Sequence, residues 1–231
     1  MTATAPDRRP LVGGTVRLDP MTPADAPGLY AALDDSRVYA SGFGGGPAGR
    51  PGSVDEMARW VQDSIDDDRR AAVYTVRLVG DGLLGFTGSL GATGSAGSLG
   101  TAGSLGATGT IIGTSSLGDL SLPNERIHLG WTAYSPAVWA SPVNPECKLL
   151  LLGHAFDDCG LGRVKIQTDN LNTRSQGAIA RLGAVREGVL RRHQHRADGT
   201  FRDTVVFSIL RDEWPAVRDG LLARLAAGRA G

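Results

Sequence analysis

From residue 124 the chain runs NERIHLGWTAY (124–134), SPVNPECKLLLLGHAF (141–156), GRVKIQTDNLNTRSQGAIARLGA (162–184) and DGTFRDTVVFSIL (198–210). The first segment predicts a strand, and the second predicts a loop that opens a helix. The third predicts a strand, an Asn-rich turn and another helix, and the fourth the end of a hairpin. Helices that begin directly after strands present unpaired N–H groups to phosphates, so this order predicts an α/β protein that holds a phosphate-bearing ligand.

Helix caps and hydrophobic periodicity set the expected boundaries of the helices and strands in the C-terminal half of the chain. Asn144 is a favourable N-cap before Pro145, and Asn172 is another before an apolar helical face. The expected elements are a strand at Arg126–Tyr134, a helix from Pro145, a strand at Val164–Thr168, a helix from Asn172 to Gly183, a hairpin turn at Asp198–Gly199, a strand at Phe201–Leu210 and a last amphipathic helix from Asp212.

The N-terminal half carries similar signals. Thr22-Pro23 starts one helix, and Ser53 with Glu56 forms a capping box for another. The expected elements are a strand at Thr15–Pro20, a helix to about Leu33, a Gly- and Pro-rich loop at Ser41–Gly52, a helix to about Ile65, and strands at Ala72–Leu78 and Thr110–Ser115.

Charge and composition exclude several classes of function. Lys and Arg total 24, Asp and Glu total 24, and the pI is about 6.9, so no net field attracts nucleic acid or an anionic membrane. The first fourteen residues lack the apolar segment of a signal peptide, and no apolar run is long enough to span a membrane. We therefore expect a cytoplasmic protein, monomeric or homodimeric, with neither nucleic-acid nor membrane partners.

Five motifs together resemble the GNAT acyltransferases, and within them the branch that includes the ribosomal-protein N-terminal acetyltransferases. The motifs are Leu129–Trp131, Val143–Lys148, Thr168–Ser175, Arg181–Ala184 and Glu187–Arg191. The resemblance extends over about residues 14 to 215. It implies an α/β (α+β) fold with a mixed, mostly antiparallel twisted sheet, splayed central strands and flanking helices. It also implies acetyl-CoA as the donor and an amine as the acceptor, either a protein N-terminus or a small molecule.

The resemblance also marks an insertion. GSLGATG occurs at residues 88–94 and again at 103–109, where the family has a short turn. We expect Val79–Gly109 to be a flexible inserted loop. A segment with so many glycines has too few side chains to bury and cannot offset the conformational entropy that it would lose on ordering. A phosphate cradle or a calcium repeat would need a Lys or Asp, and the repeats at 88–109 contain neither. The expected organisation is a flexible N-terminus (1–13), one domain (14–215) with the insertion at 79–109, and a C-terminal helix and tail (216–231).

By the resemblance, two groups of residues hold the cofactor. The central-strand amides of Trp131, Thr132 and Ala133 face the pantetheine, unless this strand is paired normally along its length. The amides of Ser141, Val143 and Asn144 face the pyrophosphate at the helix N-terminus. Ala140 and Pro142 stand where the branch usually has glycines, which weakens this second group.

Two further polar residues of the second helix match the family's cofactor contacts. Asn172 and Ser175 occupy the positions that reach the pantetheine and the far end of CoA, although both are equally suited to capping the helix alone.

The candidate general base is His128, which stands where the branch often has Glu. Its ordinary pKa, near 6.5, suits proton transfer from an amine, whereas a buried strand His is more often a packing residue. Glu125 is the second candidate. The Tyr acid of some relatives is replaced by Ile179. No metal-ligand spacing is present, so we expect no metal.

Two features leave alternatives open. A basic strip, Arg191–His193 with His195 and Arg196, is either a solvated hairpin face or a site for an acidic acceptor or the CoA 3′-phosphate. The substitutions at Ala140, Pro142 and His128 also suit a catalytically silent CoA-binding or protein-interaction module. Cys147 and Cys159 are too far apart on one helix to form a disulfide, and we expect both to be apolar filler.

Overall fold

The computed structural model of the chain describes residues 2–40, 42–79 and 109–229. Within these residues, eight strands form one sheet in the order β1-β2-β3-β4-β5-β6-β8-β7. Only β5 and β6 pair in parallel, as expected of a mixed, mostly antiparallel sheet. The strands are β1 (Leu11–Val12), β2 (Val16–Pro20), β3 (Arg70–Leu78), β4 (Ile111–Ser121), β5 (Arg126–Tyr134), β6 (Arg163–Asp169), β7 (Val185–His195) and β8 (Phe201–Leu210).

Six α-helices accompany the sheet in the described part of the chain. They are α1 (Ala26–Leu33), α2 (Ser36–Tyr39), α3 (Val54–Asp66), α4 (Val143–Gly153), α5 (Thr173–Ala180) and α6 (Trp214–Arg229). One buried apolar cluster packs α4 and α6 against the sheet, and a second joins α1, α2 and α3. Most expected elements are confirmed, but β4 extends to Ser121 rather than ending near Ser115.

The two central strands part from each other halfway along β5. Their pairing runs from Arg126 opposite Arg163 to Leu129 opposite Ile166 and stops there. On its other side, β5 has two residues, Trp131 and Thr132, opposite the single Ser115 of β4, which is a bulge, and Trp131 has φ +48°. A bulge bends and twists its strand, so the end of β5 turns away from β6 and leaves a cleft between them.

The start of the chain packs on the domain. Leu11–Val12 pairs with β2, and the Glu146 carboxylate on α4 accepts hydrogen bonds from the amides of Gly14, Thr15 and Val16 at 2.7–2.9 Å. Part of the segment expected to be a flexible N-terminus is therefore held by strand pairing. The domain boundaries at residues 13 and 215 stay a prediction.

The expected insertion lies at the tip of the β3–β4 hairpin. Arg77 pairs with Ile111, and the Leu78 amide donates to the Thr110 carbonyl at 3.0 Å. Residues 80–108, and with them most of the repeat, lie outside the described residues. The hairpin is thus already closed by hydrogen bonds at the point where the insertion begins.

Replacing residues 80–108 with a two-residue turn should leave the fold intact. Val79 and Gly109 are kept, because the Val79 amide donates to Thr15 and Gly109 packs against the Leu78 carbonyl. Loop closure entropy varies only with the logarithm of length, at about 0.6 kcal/mol per doubling, so we expect the free energy of unfolding to change by no more than about 2 kcal/mol. Urea titration of both proteins measures this change. A much larger loss of stability would show that the repeat is structural.

Candidate active site

One large cleft opens where β5 and β6 part. Its volume is ≈ 1140 Å³, and it is lined by residues of β5, the N-terminal turns of α4 and α5, and the β7–β8 hairpin. It brings together most of the residues singled out in the sequence. These are His128, Trp131, Thr132, Ala133, Ser141, Asn144, Asn172 and Ser175.

Two of the expected site residues do not line this cleft. Val143 is fully buried, and its amide donates to Ser141 Oγ at 3.3 Å, so it is not free to meet a phosphate. Glu125 lies in the turn before β5, and its carbonyl accepts hydrogen bonds from the amides of Gly162 and Arg163 at 2.7 and 3.0 Å. Glu125 therefore sets the start of the β5–β6 pairing, at the end of the strand opposite the bulge.

The N-terminus of α4 differs from expectation by two residues. The helix begins at Val143, and Pro142 is its N-cap, so Asn144 is not the cap. Pro142 has φ −63°, already suited to a helix, and its carbonyl accepts from the Glu146 amide at 3.0 Å. Pro142 and Pro145 have no N–H, so few amides remain in this turn for a phosphate. Ala140 takes φ +60°, a conformation that glycine adopts more readily.

The N-terminus of α5 adds a cation to the cleft. The Asn172 side chain accepts from the Ser175 amide at 2.9 Å, which confirms Asn172 as the cap. Between them, the Arg174 guanidinium stacks 3.6 Å from the Trp139 ring centroid, and burial lowers its pKa. A cation in the first turn opposes the helix dipole, so Arg174 is held beside the cleft at an energetic cost that a bound anion would offset. Sequence analysis missed this signal within the Thr168–Ser175 motif.

His128 is buried in the wall of the cleft. Its Nδ1 lies 3.3 Å from Asp119 Oδ2, outside hydrogen-bond geometry, and Nε2 has no hydrogen-bond partner. Burial lowers the pKa of His128, and the nearby Asp119 opposes this only in part. The contact with His128, followed by the ion pair with Lys165, lowers the pKa of Asp119. At neutral pH the imidazole is therefore neutral and able to accept a proton.

Lys148 is a cleft residue that the sequence analysis did not single out for chemistry. Its Nζ donates to Thr132 Oγ1 at 3.1 Å, and this hydroxyl lies 2.7 Å from Ser115 Oγ. The side chain is buried, which lowers its pKa to about 8. A lysine within the apolar face CKLLLL was the available signal, because lysine is seldom fully buried without a functional reason.

The basic strip does not act as one surface. Arg196 forms hydrogen bonds with both carboxylate oxygens of Asp169, at 3.0 and 3.1 Å, and the Arg192 guanidinium stacks on Phe201. His195 and Arg196 line the cleft, whereas His193 does not. The hairpin thus presents one arginine already paired with a carboxylate, and its role in binding an anion stays open.

The cysteines are free and buried, as expected of filler. Burial raises the pKa of Cys147 to about 12 and that of Cys159 to about 11, so neither is a thiolate near neutral pH. Within residues 2–40, 42–79 and 109–229, no group of three or more His, Cys, Asp or Glu is arranged to hold a metal ion. Among the same residues, no helix combines the length and apolarity needed to cross a membrane.

The profile of the Acetyltransferase (GNAT) domain matches residues 15–185. The match extends over more than half of the chain, and the chain belongs to this family. The resemblance drawn from its motifs is confirmed, and so is the fold that it implied. A comparison with curated proteins finds no match.

Solved structures with the same fold span nearly the whole chain. A GCN5-related N-acetyltransferase from Brucella melitensis is 24% identical, with TM-score 0.77, over 97% of this chain and 88% of that one. A protein from T. thermophilus that is assigned as an acetyltransferase is 30% identical, with TM-score 0.73, over 94% and 96%. Mycobacterium smegmatis RimJ, solved in complex with CoA-disulfide, is 18% identical, with TM-score 0.66, over 97% of both chains.

The cleft has the chemistry that acetyl-CoA needs. Residues of the β5 bulge line the cleft, and α4 and α5 both begin at it. Three arginines, Arg174, Arg181 and Arg224, also line the cleft and supply positive charge. This charge offsets the amide donors that the first turn of α4 lacks because two of its residues are prolines. The residues therefore fit a thioester on a polyphosphate carrier, with arginine side chains in place of glycine-loop amides.

Proposed function

We propose that the protein is an acetyl-CoA-dependent N-acetyltransferase that moves an acetyl group to a primary amine by direct attack in a ternary complex. The observation that carries the proposal is the bulge at Trp131, which parts β5 from β6 and opens strand amides onto the same cleft as the starts of α4 and α5. A cofactor lying along this gap is held at both its phosphate and its thioester ends.

The residues of the cleft divide the remaining work. Bound acetyl-CoA would supply an acetyl group activated as a thioester. The C–S bond breaks as the C–N bond forms, and CoA leaves as a thiolate that takes up a proton from solvent. Exposed amides among those of Trp131, Thr132 and Ala133 contact the pantetheine arm and polarise the thioester carbonyl, and the Lys148 ammonium beside Thr132 adds positive charge near the same place. His128 accepts the proton of the attacking amine, directly or through water, and Asp119 stabilises the resulting imidazolium. Asn172 and Ser175 orient the carrier at the start of α5.

Direct attack is preferred over a covalent acetyl-enzyme. The buried thiol of Cys147 is protonated across the physiological range, because its pKa is about 12. Much of the rate would then come from aligning the amine with the thioester.

Incubation with acetyl-CoA and a panel of amines tests this function. The panel should include peptides with free N-termini, polyamines, amino acids and aminoglycosides. Thiol release and product mass should reveal an acetylated amine for at least one class. Tight CoA binding without turnover of any acceptor would contradict the proposal.

One observation favours the alternative, a silent CoA-binding or protein-interaction module. Pro142 and Pro145 remove two N–H groups from the turn of α4 that faces the cofactor, and Ala140 holds a strained positive φ beside them. An enzyme and a silent module could both bind CoA, so CoA affinity distinguishes them only when turnover is also known. Both quantities should be measured on the same preparation.

Substitution of Asn144 distinguishes a role in cofactor binding from a role in helix capping. Because Asn144 lies inside the first turn of α4 and lines the cleft, Asn144→Ala should change the free energy of unfolding by less than about 0.5 kcal/mol. CoA affinity, measured by calorimetric titration, should fall several-fold, because the variant loses a side-chain amide that lines the cleft and can donate to the pyrophosphate. Ser53→Ala is the matched capping control, because the Ser53 hydroxyl accepts from the Glu56 amide at the start of α3. It should lower stability and leave CoA affinity unchanged. Unchanged CoA affinity in Asn144→Ala would show that the Asn144 side chain does not contact the pyrophosphate, since the variant keeps the backbone amide.

A further inference from the structure

A continuous row of side chains, the aromatic wall, lines one side of the cleft. It consists of Phe43, Trp60, Arg70, Trp131 and His128. The Trp131 ring lies 4.8 Å from the His128 ring and 4.8 Å from the Arg70 guanidinium carbon. Arg70 also lies 5.9 Å from the Trp60 ring, which is 6.0 Å from Phe43. The candidate base and a buried guanidinium therefore contact the same aromatic ring.

Arg70 carries a charge that its protein neighbours do not fully balance. Asp67 Oδ2 lies 3.4 Å from Arg70 Nε, but the same carboxylate forms a closer ion pair, at 2.8 Å, with Arg69. Two guanidinium groups thus share one carboxylate. Burial lowers the pKa of Arg70 to about 10, which still leaves it charged at neutral pH.

The N–H groups of Arg70 are also unsatisfied. Only 9% of the residue is exposed, and neither Nε nor Nη1 has a hydrogen-bond partner. Buried donors without partners cost free energy, so each calls for an explanation, and for a cleft residue a bound water, ion or ligand can supply the missing acceptor. Because Arg70 lines the cleft, a bound ligand is able to reach it.

We propose that the acceptor amine carries a carboxylate, and that Arg70 binds this carboxylate while His128 faces the amine. This inference rests on the proposed acetyl transfer. A guanidinium stacked on indole keeps its N–H edge free, and that edge matches a carboxylate with two parallel hydrogen bonds. One unbalanced positive charge suits a monoanion such as a carboxylate better than a phosphate monoester with its nearly two negative charges.

Binding of matched ligand pairs to the CoA-loaded protein tests the inference. The probes are glycine, β-alanine, 4-aminobutyrate and 5-aminovalerate, each titrated calorimetrically beside its carboxamide. The series varies the separation between amine and carboxylate, and the amide removes only the charge. In the wild type, at least one carboxylate should bind at least about tenfold more tightly than its carboxamide, since charged hydrogen bonds contribute that much.

Arg70→Gln should abolish this preference and leave CoA affinity unchanged. Asp67 stays paired with Arg69 in this variant, so no carboxylate loses its only partner. Arg59→Gln, on the exposed side of α3, removes the same charge outside the cleft and should behave as the wild type. Should Arg70→Gln fail to fold, Arg70→Lys keeps the charge without the planar fork and should still weaken the preference.

Equal binding of every carboxylate and its carboxamide, or a preference that survives Arg70→Gln, would overturn the inference. Turnover of the same panel reports separately on the proposed function. Turnover without a carboxylate preference contradicts only the role of Arg70. A carboxylate preference lost in Arg70→Gln, but without any turnover, supports the anion site and contradicts acetyl transfer.

Discussion

His128→Gln is expected to lower turnover by roughly 10²-fold or more at neutral pH, because general-base catalysis typically contributes 10² to 10⁴. CoA affinity should hardly change, since the glutamine amide removes the base and keeps a polar group beside Asp119. Burial lowers the pKa of His128, so the wild-type rate should fall on the acid side only below pH 6.5, and it should fall again above about pH 8 as the Lys148 ammonium loses its proton. Initial rates across pH, with chemistry limiting, measure both effects.

His128→Glu is the matched variant, because it restores the carboxylate usual in the resembling branch. It should recover part of the lost activity. Asp119→Asn should also reduce the rate, since the imidazolium then lacks its counter-charge. A glutamine variant with wild-type turnover would remove His128 from the reaction. Glu125 lies outside the cleft, so the search would then move to a water held by backbone carbonyls.

Lys148→Met should make the protein more stable at neutral pH. The pKa of Lys148 is about 8 in the folded protein, against an ordinary value of 10.5 for a solvated lysine, so the buried ammonium costs about 3 kcal/mol below pH 8. This cost disappears as the pH rises from 8 through 10.5, because the folded protein then buries a neutral amine. Thr132 and Ser115 keep their mutual hydrogen bond in the variant, so no buried hydroxyl is left alone.

Urea unfolding at pH 7 and at pH 10 measures the two sides of this prediction. The gain from Lys148→Met should be largest at pH 7 and much smaller at pH 10, so the second pH is the control. Turnover should fall in the same variant, because the ammonium is proposed to lie near the thioester. Unchanged stability at pH 7 would show that the lysine is solvated, and unchanged turnover would remove it from the mechanism.

The sequence predicted the fold well because its signals are local. Strands such as Arg126–Tyr134 and the cap at Asn172 follow from residue patterns over a few positions, and the structure confirms them. The predicted start of α4 was wrong by two residues. Pro142 and Pro145 both suit the beginning of a helix, and the sequence pattern alone does not choose between them. The extra length of β4 depends on pairing with β5 across the sheet, which local patterns do not encode.

The site was harder to predict because its chemistry depends on burial and on distant neighbours. His128 was chosen from a motif position, but its approach to Asp119 and Trp131 follows from the β4–β5 register and the bulge. Arg70 gave no signal, since it follows another arginine in an acidic turn. Only the fold shows that Arg69 points to solvent while Arg70 is enclosed between tryptophans.

A single-turnover experiment tests direct acetyl transfer most closely. Protein in excess over acetyl-CoA labelled on its acetyl group is mixed with an amine that is a substrate in the steady-state panel. We predict that the label passes to the amine in one phase, with no acetylated protein by intact mass at any time. Label that remains on CoA with every amine, or that accumulates on the protein before reaching the amine, would contradict the account.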